Sequence, residues 1–85
     1  MPLLYSQVTV GARIKLTGRL QVASDGSRGT GRYFENYEVR IVRILNNGAP
    51  YPVLLGDNYS DCLGWVSYEM LTQEIDIEAI FIGIF

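Results

Sequence analysis

From Arg13 to Thr17 the chain alternates strictly. Ile14 and Leu16 fall on one face and Arg13, Lys15 and Thr17 on the other, the period-two pattern of a strand that covers a core on one side. Gly18 interrupts the alternation and Leu20 and Val22 resume it, which predicts a bulged strand or a bent strand pair. Upstream, Tyr5 to Val10 alternates only loosely before Gly11-Ala12. Glu38 to Leu45 predicts the firmest strand, with Val39 and Ile41 set against Glu38 and Arg40. Its face switches at Ile41-Val42, since Ile44 keeps step with Val42, so either a bulge shifts the register or both faces are partly covered. Asn46-Asn47-Gly48 is a turn, because Asn and Gly accept positive φ at little cost.

The pattern centres on a hairpin. Tyr51 to Gly56 and Leu63 to Ser67 are short runs rich in branched and aromatic residues, separated by the polar Asp57-Asn58-Tyr59-Ser60-Asp61. Pro50 and Pro52 lack backbone donors and place Tyr51 at a sheet edge or strand start, while Gly64 marks a point where backbone bends or passes close to a neighbour. Ser67 to Leu71 reads as one helical turn that returns Met70 and Leu71 to the core. Glu74 to Glu78 alternates cleanly and runs into Ala79 to Phe85, which carries no charge. As an isolated edge this tail is an aggregation hazard, so it is expected to be paired, either closing a barrel or adding to a neighbouring copy. The side chains expected to mediate such assembly are Ile75, Ile77, Ile80, Phe81, Ile82 and Phe85.

Ala23 to Gly31 contains no apolar residue larger than alanine and predicts a long loop, either for recognition or as a mobile spacer. In the following Tyr33-Phe34-Glu35-Asn36-Tyr37, packing beneath the loop accounts best for Phe34. For Tyr33 and Tyr37, packing and display are equally compatible with the pattern.

Composition narrows the class. At 85 residues the chain is one domain, small enough to bury only a little over ~60% of its unfolded surface. Nine glycines and six tyrosines point to short strands joined by turns, an all-β domain. With no histidine and a single cysteine, an internal disulfide, a metal-ligand cluster and a Ser/His or Cys/His pair are all excluded. Asp57 and Asp61 remain as possible acid and base, but their loop setting favours solvated turn residues, so the chain is expected to be neither an enzyme nor a cofactor carrier. Cys62 is expected to be a small buried residue. The net charge of −2 argues against a partner held mainly through phosphates. All seven basic residues lie between Arg13 and Arg43, and nucleic-acid binding through Arg13, Lys15, Arg19, Arg28 and Arg32 ranks third among the binding readings. No run is long enough to span a bilayer.

Several spaced segments together carry a resemblance: Val10-Gly11-Ala12-Arg13-Ile14-Lys15-Leu16-Thr17-Gly18, then Ser24-Asp25-Gly26-Ser27 with Gly29 and Gly31, then Tyr33-Phe34-Glu35-Asn36-Tyr37, Tyr51-Pro52 and Gly64-Trp65-Val66. In this order they resemble a bacterial SH3 domain of the variety appended to cell-wall hydrolases of Firmicutes and their phages, including clostridial endolysins and amidases. The resemblance covers roughly Val10 to Leu71. It implies an SH3-like, partly open β-barrel over residues 1–71. A hydrophobic C-terminal strand over residues 72–85 would then close the barrel or mediate oligomerisation.

It further implies non-catalytic recognition of peptidoglycan or an associated wall polymer in an aromatic groove. The residues carried over are Asp25, Tyr33, Asn36, Tyr37, Tyr51 and Trp65, with Tyr59 and Asp61 from the hairpin tip. Trp65 is equally suited to half-buried core and to groove floor. Met1-Pro2-Leu3-Leu4 lacks the features of a signal peptide, so the expected route is synthesis in the cytoplasm and action at the wall after release or lysis. The tail lies outside the family's pattern, and the module is expected to stand without an attached catalytic domain. Two explanations follow: a wall-binding fragment or separate subunit that gains avidity by self-association through its tail, or a small phage or mobile-element protein that keeps the barrel and inhibits a host protein.

Overall fold

The computed structural model describes residues 2–57 and 61–84. Its elements are strands β1 (Ala12–Gln21), β2 (Thr30–Ile44), β3 (Val53–Gly56) and β4 (Cys62–Val66), the short helix α1 (Tyr68–Thr72), and strand β5 (Ile77–Ile84). Consecutive strands β1 to β4 pair antiparallel, and β4 returns to β1 through Gln21 opposite Trp65, closing a four-stranded ring. β5 lies outside the ring, antiparallel along β1 from Ala12 opposite Ile84 to Gly18 opposite Ile77. The result is a small SH3-like barrel with a hydrophobic C-terminal strand.

β2 holds the barrel together because it takes part in two pairings. Its first part runs along β1 and its last part along β3, with Arg40 opposite both Arg13 and Gly56. It begins at Thr30, earlier than the alternation of Glu38 to Leu45 indicated, and it turns by bulging. One irregularity falls opposite Leu16 and Gly18, where Asn36 has a φ of 49°. Another is at Val42, between Ile41 opposite Leu55 and Arg43 opposite Leu54. The face switch legible at Ile41-Val42 is therefore a register shift, which increases strand twist and lets one strand serve both halves of the barrel.

Inward-facing Ala12, Ile14, Leu16 and Leu20 of β1 meet Phe34, Val39 and Ile41 of β2, Val53 and Leu55 of β3, and Val66 of β4. Met70 and Leu71 cover one side of this core, and no polar or charged residue is buried among the described residues. α1 forms where Ser67 Oγ accepts a hydrogen bond from Met70 N (3.2 Å), an N-cap that starts the turn and swings Met70 and Leu71 inward. The N-terminal segment packs beside it. Leu3 and Val8 are buried, Leu3 N donates to Leu71 O (3.1 Å), and Tyr5 stacks on Tyr68 at 4.9 Å. The loosely alternating Tyr5–Gln7 is a 3-10 turn, not a strand.

The structure corrects several expectations. Glu74 to Asp76 is not strand: Glu74 and Asp76 have φ of 53° and 64°, because the chain must turn sharply between α1 and β5. Cys62 is exposed, since it sits at the first position of β4 beside the hairpin tip and not in the barrel interior. Among the tail side chains expected at an assembly surface, Ile77 is buried in the chain's own core and Phe81 packs against it. Ile75, Ile80 and Ile82 are exposed, and Phe85 lies outside the described residues. No helix among the described residues is long and apolar enough to cross a membrane.

Candidate functional site

A cavity of about 460 Å³ opens on the barrel surface, a size typical of small-ligand sites. Its walls come from three places in the chain. The end of the β1–β2 hairpin contributes Arg19, Gln21, Thr30 and Tyr33; Tyr51 stands just before β3; and the stretch from Ser67 through α1 to Asp76 closes the far side. Met70 and Ile75 supply apolar surface there, and Glu69 and Asp76 supply carboxylates.

Two backbone approaches set this geometry. A Cβ on Gly18 would stand 2.7 Å from Ile77 Cγ2 and 3.1 Å from the Asp76 carbonyl oxygen, and Gly18 has a φ of 137°. Only glycine lets the turn before β5 lie this close to β1, which brings Ile75 and Asp76 to the cavity. A Cβ on Gly26 would stand 2.7 Å from Tyr51 Cε2, so the loop after β1 rests on the Tyr51 ring. Tyr51 N also donates to Ser24 O (2.9 Å). The loop is knitted by successive turns, with Gly26 N donating to Ala23 O, Gly29 N to Gly26 O and Val22 N to Gly29 O. It is thus a docked loop, not a spacer.

The residues expected to bind ligand divide into separate groups. Tyr33 and Tyr51 line the cavity. Tyr33 is half-exposed, and Arg19 places its guanidinium 6.0 Å from the ring centroid while Nη1 donates to Gly31 O (2.8 Å). Asp25 has a local duty: Oδ1 accepts from Ser27 N (3.0 Å), and this backbone hydrogen bond holds its carboxyl below the ordinary aspartate value.

Asn36 sits in the β2 bulge, its N donating to Thr17 Oγ1 (2.9 Å). Tyr37 lies against Phe34 at 5.5 Å, and its hydroxyl meets Asp57 Oδ2 at 3.4 Å. Asp57 N donates to Asp61 O, so Tyr37 and Asp61 belong to the hairpin tip and not to the cavity. Tyr59 lies outside the described residues.

Trp65 is neither core nor cavity wall. Val53, Leu55, Gly64 and Val66 are buried inside, so alternation places Leu54 and Trp65, which are paired with each other, on the outer surface of the barrel. Sequence reasoning missed Glu69, Met70 and Asp76 as cavity residues and assigned Ile75 to an assembly surface. The strict alternation of Glu74 to Glu78 masked a turn, and nothing in the local pattern indicated that it would fold back across Gly18.

A second hollow adjoins the first. It is lined by Thr17, Gly18, Tyr33, Glu74, Asp76, Ile77 and Glu78. Gly18, Tyr33 and Asp76 belong to both, so the two form one continuous groove. With aromatic rings, an apolar patch, and donors and acceptors on its rim, the groove can hold an extended polar chain with small apolar faces. Compared with protein-family models, with curated proteins and with solved structures, the chain matches none.

Proposed function

We propose that the chain is a non-catalytic binding module for bacterial cell wall, recognising peptidoglycan in the groove between Tyr33, Tyr51 and α1. The observation that carries this reading is the cavity itself, in which two of the tyrosines named by the resemblance to bacterial SH3 domains stand beside Met70 and Ile75. Stem peptides and amino sugars offer amides and hydroxyls for Gln21, Thr30 and Ser67 to bond, and small apolar faces on which the rings can rest.

One observation favours a second reading, a host protein as ligand. Trp65 and Leu54 form an apolar pair on the outer barrel surface, outside the groove, and tryptophan is enriched where protein surfaces meet.

Co-sedimentation with sacculi from several Gram-positive species tests both. Wall binding through the groove predicts that Tyr33→Ala weakens sedimentation of the folded protein while Trp65→Ala leaves it unchanged. Failure of the folded wild-type chain to sediment with any wall overturns the wall reading and turns attention to the Trp65 surface.

A further inference from the structure

The charges around the groove are unbalanced in a way the whole chain is not. The groove is lined by one basic residue, Arg19, and by four acidic residues, Glu69, Glu74, Asp76 and Glu78. Arg19 is held within the groove wall, with Nη1 donating to Gly31 O at 2.8 Å and its guanidinium 6.0 Å from the Tyr33 ring centroid, so it offsets one of these four carboxylates at most. None of the other six basic residues lines the groove: Arg13, for example, pairs with Glu38 at 3.2 Å, and Arg32 lies over the Phe34 ring at 4.6 Å. Folding thus sets the acidic residues of α1 and of the turn before β5 along one groove against a β1–β2 wall that contributes a single cation.

We infer that the groove takes a peptide bearing a free primary ammonium group, with the ammonium received by Glu69 and Asp76 and the neighbouring peptide lying against Tyr33, Met70 and Ile75. Glu69 and Asp76 line the same cavity as these apolar surfaces, so one ligand segment can meet both. An ammonium presents three donors and no acceptor, the complement of carboxylates, which only accept. Phosphate or carboxylate ligands meet like charge on this surface, and a neutral sugar can donate hydroxyl hydrogen bonds to the carboxylates but brings no positive charge to offset theirs. Both carboxylates are solvent-accessible, so each contributes modestly and the apolar contact supplies much of the affinity. The inference rests on the wall-binding reading only for the source of the peptide; the ammonium chemistry stands on the groove.

The test uses the full chain and four short peptides. Ala-Ala-Ala-amide carries its ammonium at the N-terminus, and N-acetyl-Ala-Lys-Ala-amide carries it on a side chain. The other two are the same peptides with those amines acetylated. Amide NMR titration at millimolar peptide is expected to shift Gly18, Tyr33, Met70 and Asp76 with at least one free-amine peptide and not with its acetylated form. Whichever amine peptide binds identifies the source of the ammonium. Glu69→Gln and Asp76→Asn should each weaken that peptide by up to about fivefold, with Glu35→Gln as an exposed control outside the groove. Asn tolerates the positive φ at Asp76, so that variant should fold.

Equal shifts from free and acetylated peptides, or none from either, overturn the inference. Sacculi separate it from the wider reading. Acetylation of wall amines that abolishes sedimentation supports both, whereas unchanged sedimentation leaves wall binding standing and overturns the ammonium site. Peptide shifts without any sedimentation retain the site and remove the wall.

Discussion

Gly64 of β4 lies so close to Leu20 of β1 that a Cβ added to it would stand 2.5 Å from the Leu20 Cβ and 2.9 Å from the Gln21 carbonyl oxygen. This is where the four-stranded ring closes, one residue from the Gln21–Trp65 pair. Neither neighbour can yield cheaply, because Leu20 is fully packed and the carbonyl is backbone. Gly64→Ala is therefore expected to destabilise the fold by about 1–3 kcal/mol, the usual range for overpacking. Urea denaturation checks this: a midpoint equal to wild type would mean that β4 and β1 can separate without cost.

The tail supplies a second test. β5 buries Ile77 and Ala79 in the common core and pairs along β1. A fully buried isoleucine alone is worth about 1.5–3 kcal/mol. Removing residues 74–85 should thus give an unfolded or insoluble product by circular dichroism and gel filtration. A soluble, folded, truncated monomer would show that the strand is dispensable to the barrel.

Two adjacent rings should respond differently to the same substitution. Phe34 is 5% exposed and inside the barrel, whereas Tyr33 is 50% exposed at the cavity. Phe34→Ala is expected to cost about 3–5 kcal/mol, and Tyr33→Ala about 0.5 kcal/mol or less. Comparable losses in thermal or urea unfolding would mean that Tyr33 is part of the fold's support.

Asp25 gives a pH prediction. Its carboxyl is held below the ordinary 3.8 because the ionised form accepts a hydrogen bond from Ser27 N. For a depressed carboxylate, the stabilising contribution is complete above the unfolded value and disappears as pH falls through the lower, folded one. The turn at the head of the loop should stay intact through mild acid and open only below 3.8. The Ser27 amide resonance, followed by NMR as pH is lowered, reads this directly. A midpoint above that value would mean the bond does not form.

Much of the barrel was legible in the sequence because it rests on local periodicity. The alternation of Arg13 to Thr17, the switch at Ile41-Val42, the hairpin around Asp57 to Asp61 and the Ser67 turn each depend on residues adjacent in the chain. The groove was only half legible. Tyr33 and Tyr51 carried a signal as aromatics beside a loop and a proline, but their companions Glu69, Met70 and Asp76 looked like ordinary helix-turn and strand residues.

The sequence by itself determined the inward-facing residues of β1, the register shift in β2 and the turn that Ser67 begins. Tertiary structure alone decided which tyrosines stand together, that Trp65 faces outward, that Cys62 is exposed and that Ile77 belongs to the core. The physical reason is that these outcomes depend on contacts between distant segments. Gly18 admits the turn before β5, Gly26 rests on Tyr51, and Gly64 passes across Leu20. A missing Cβ marks where a close approach is possible, but only the folded chain determines which segment makes it.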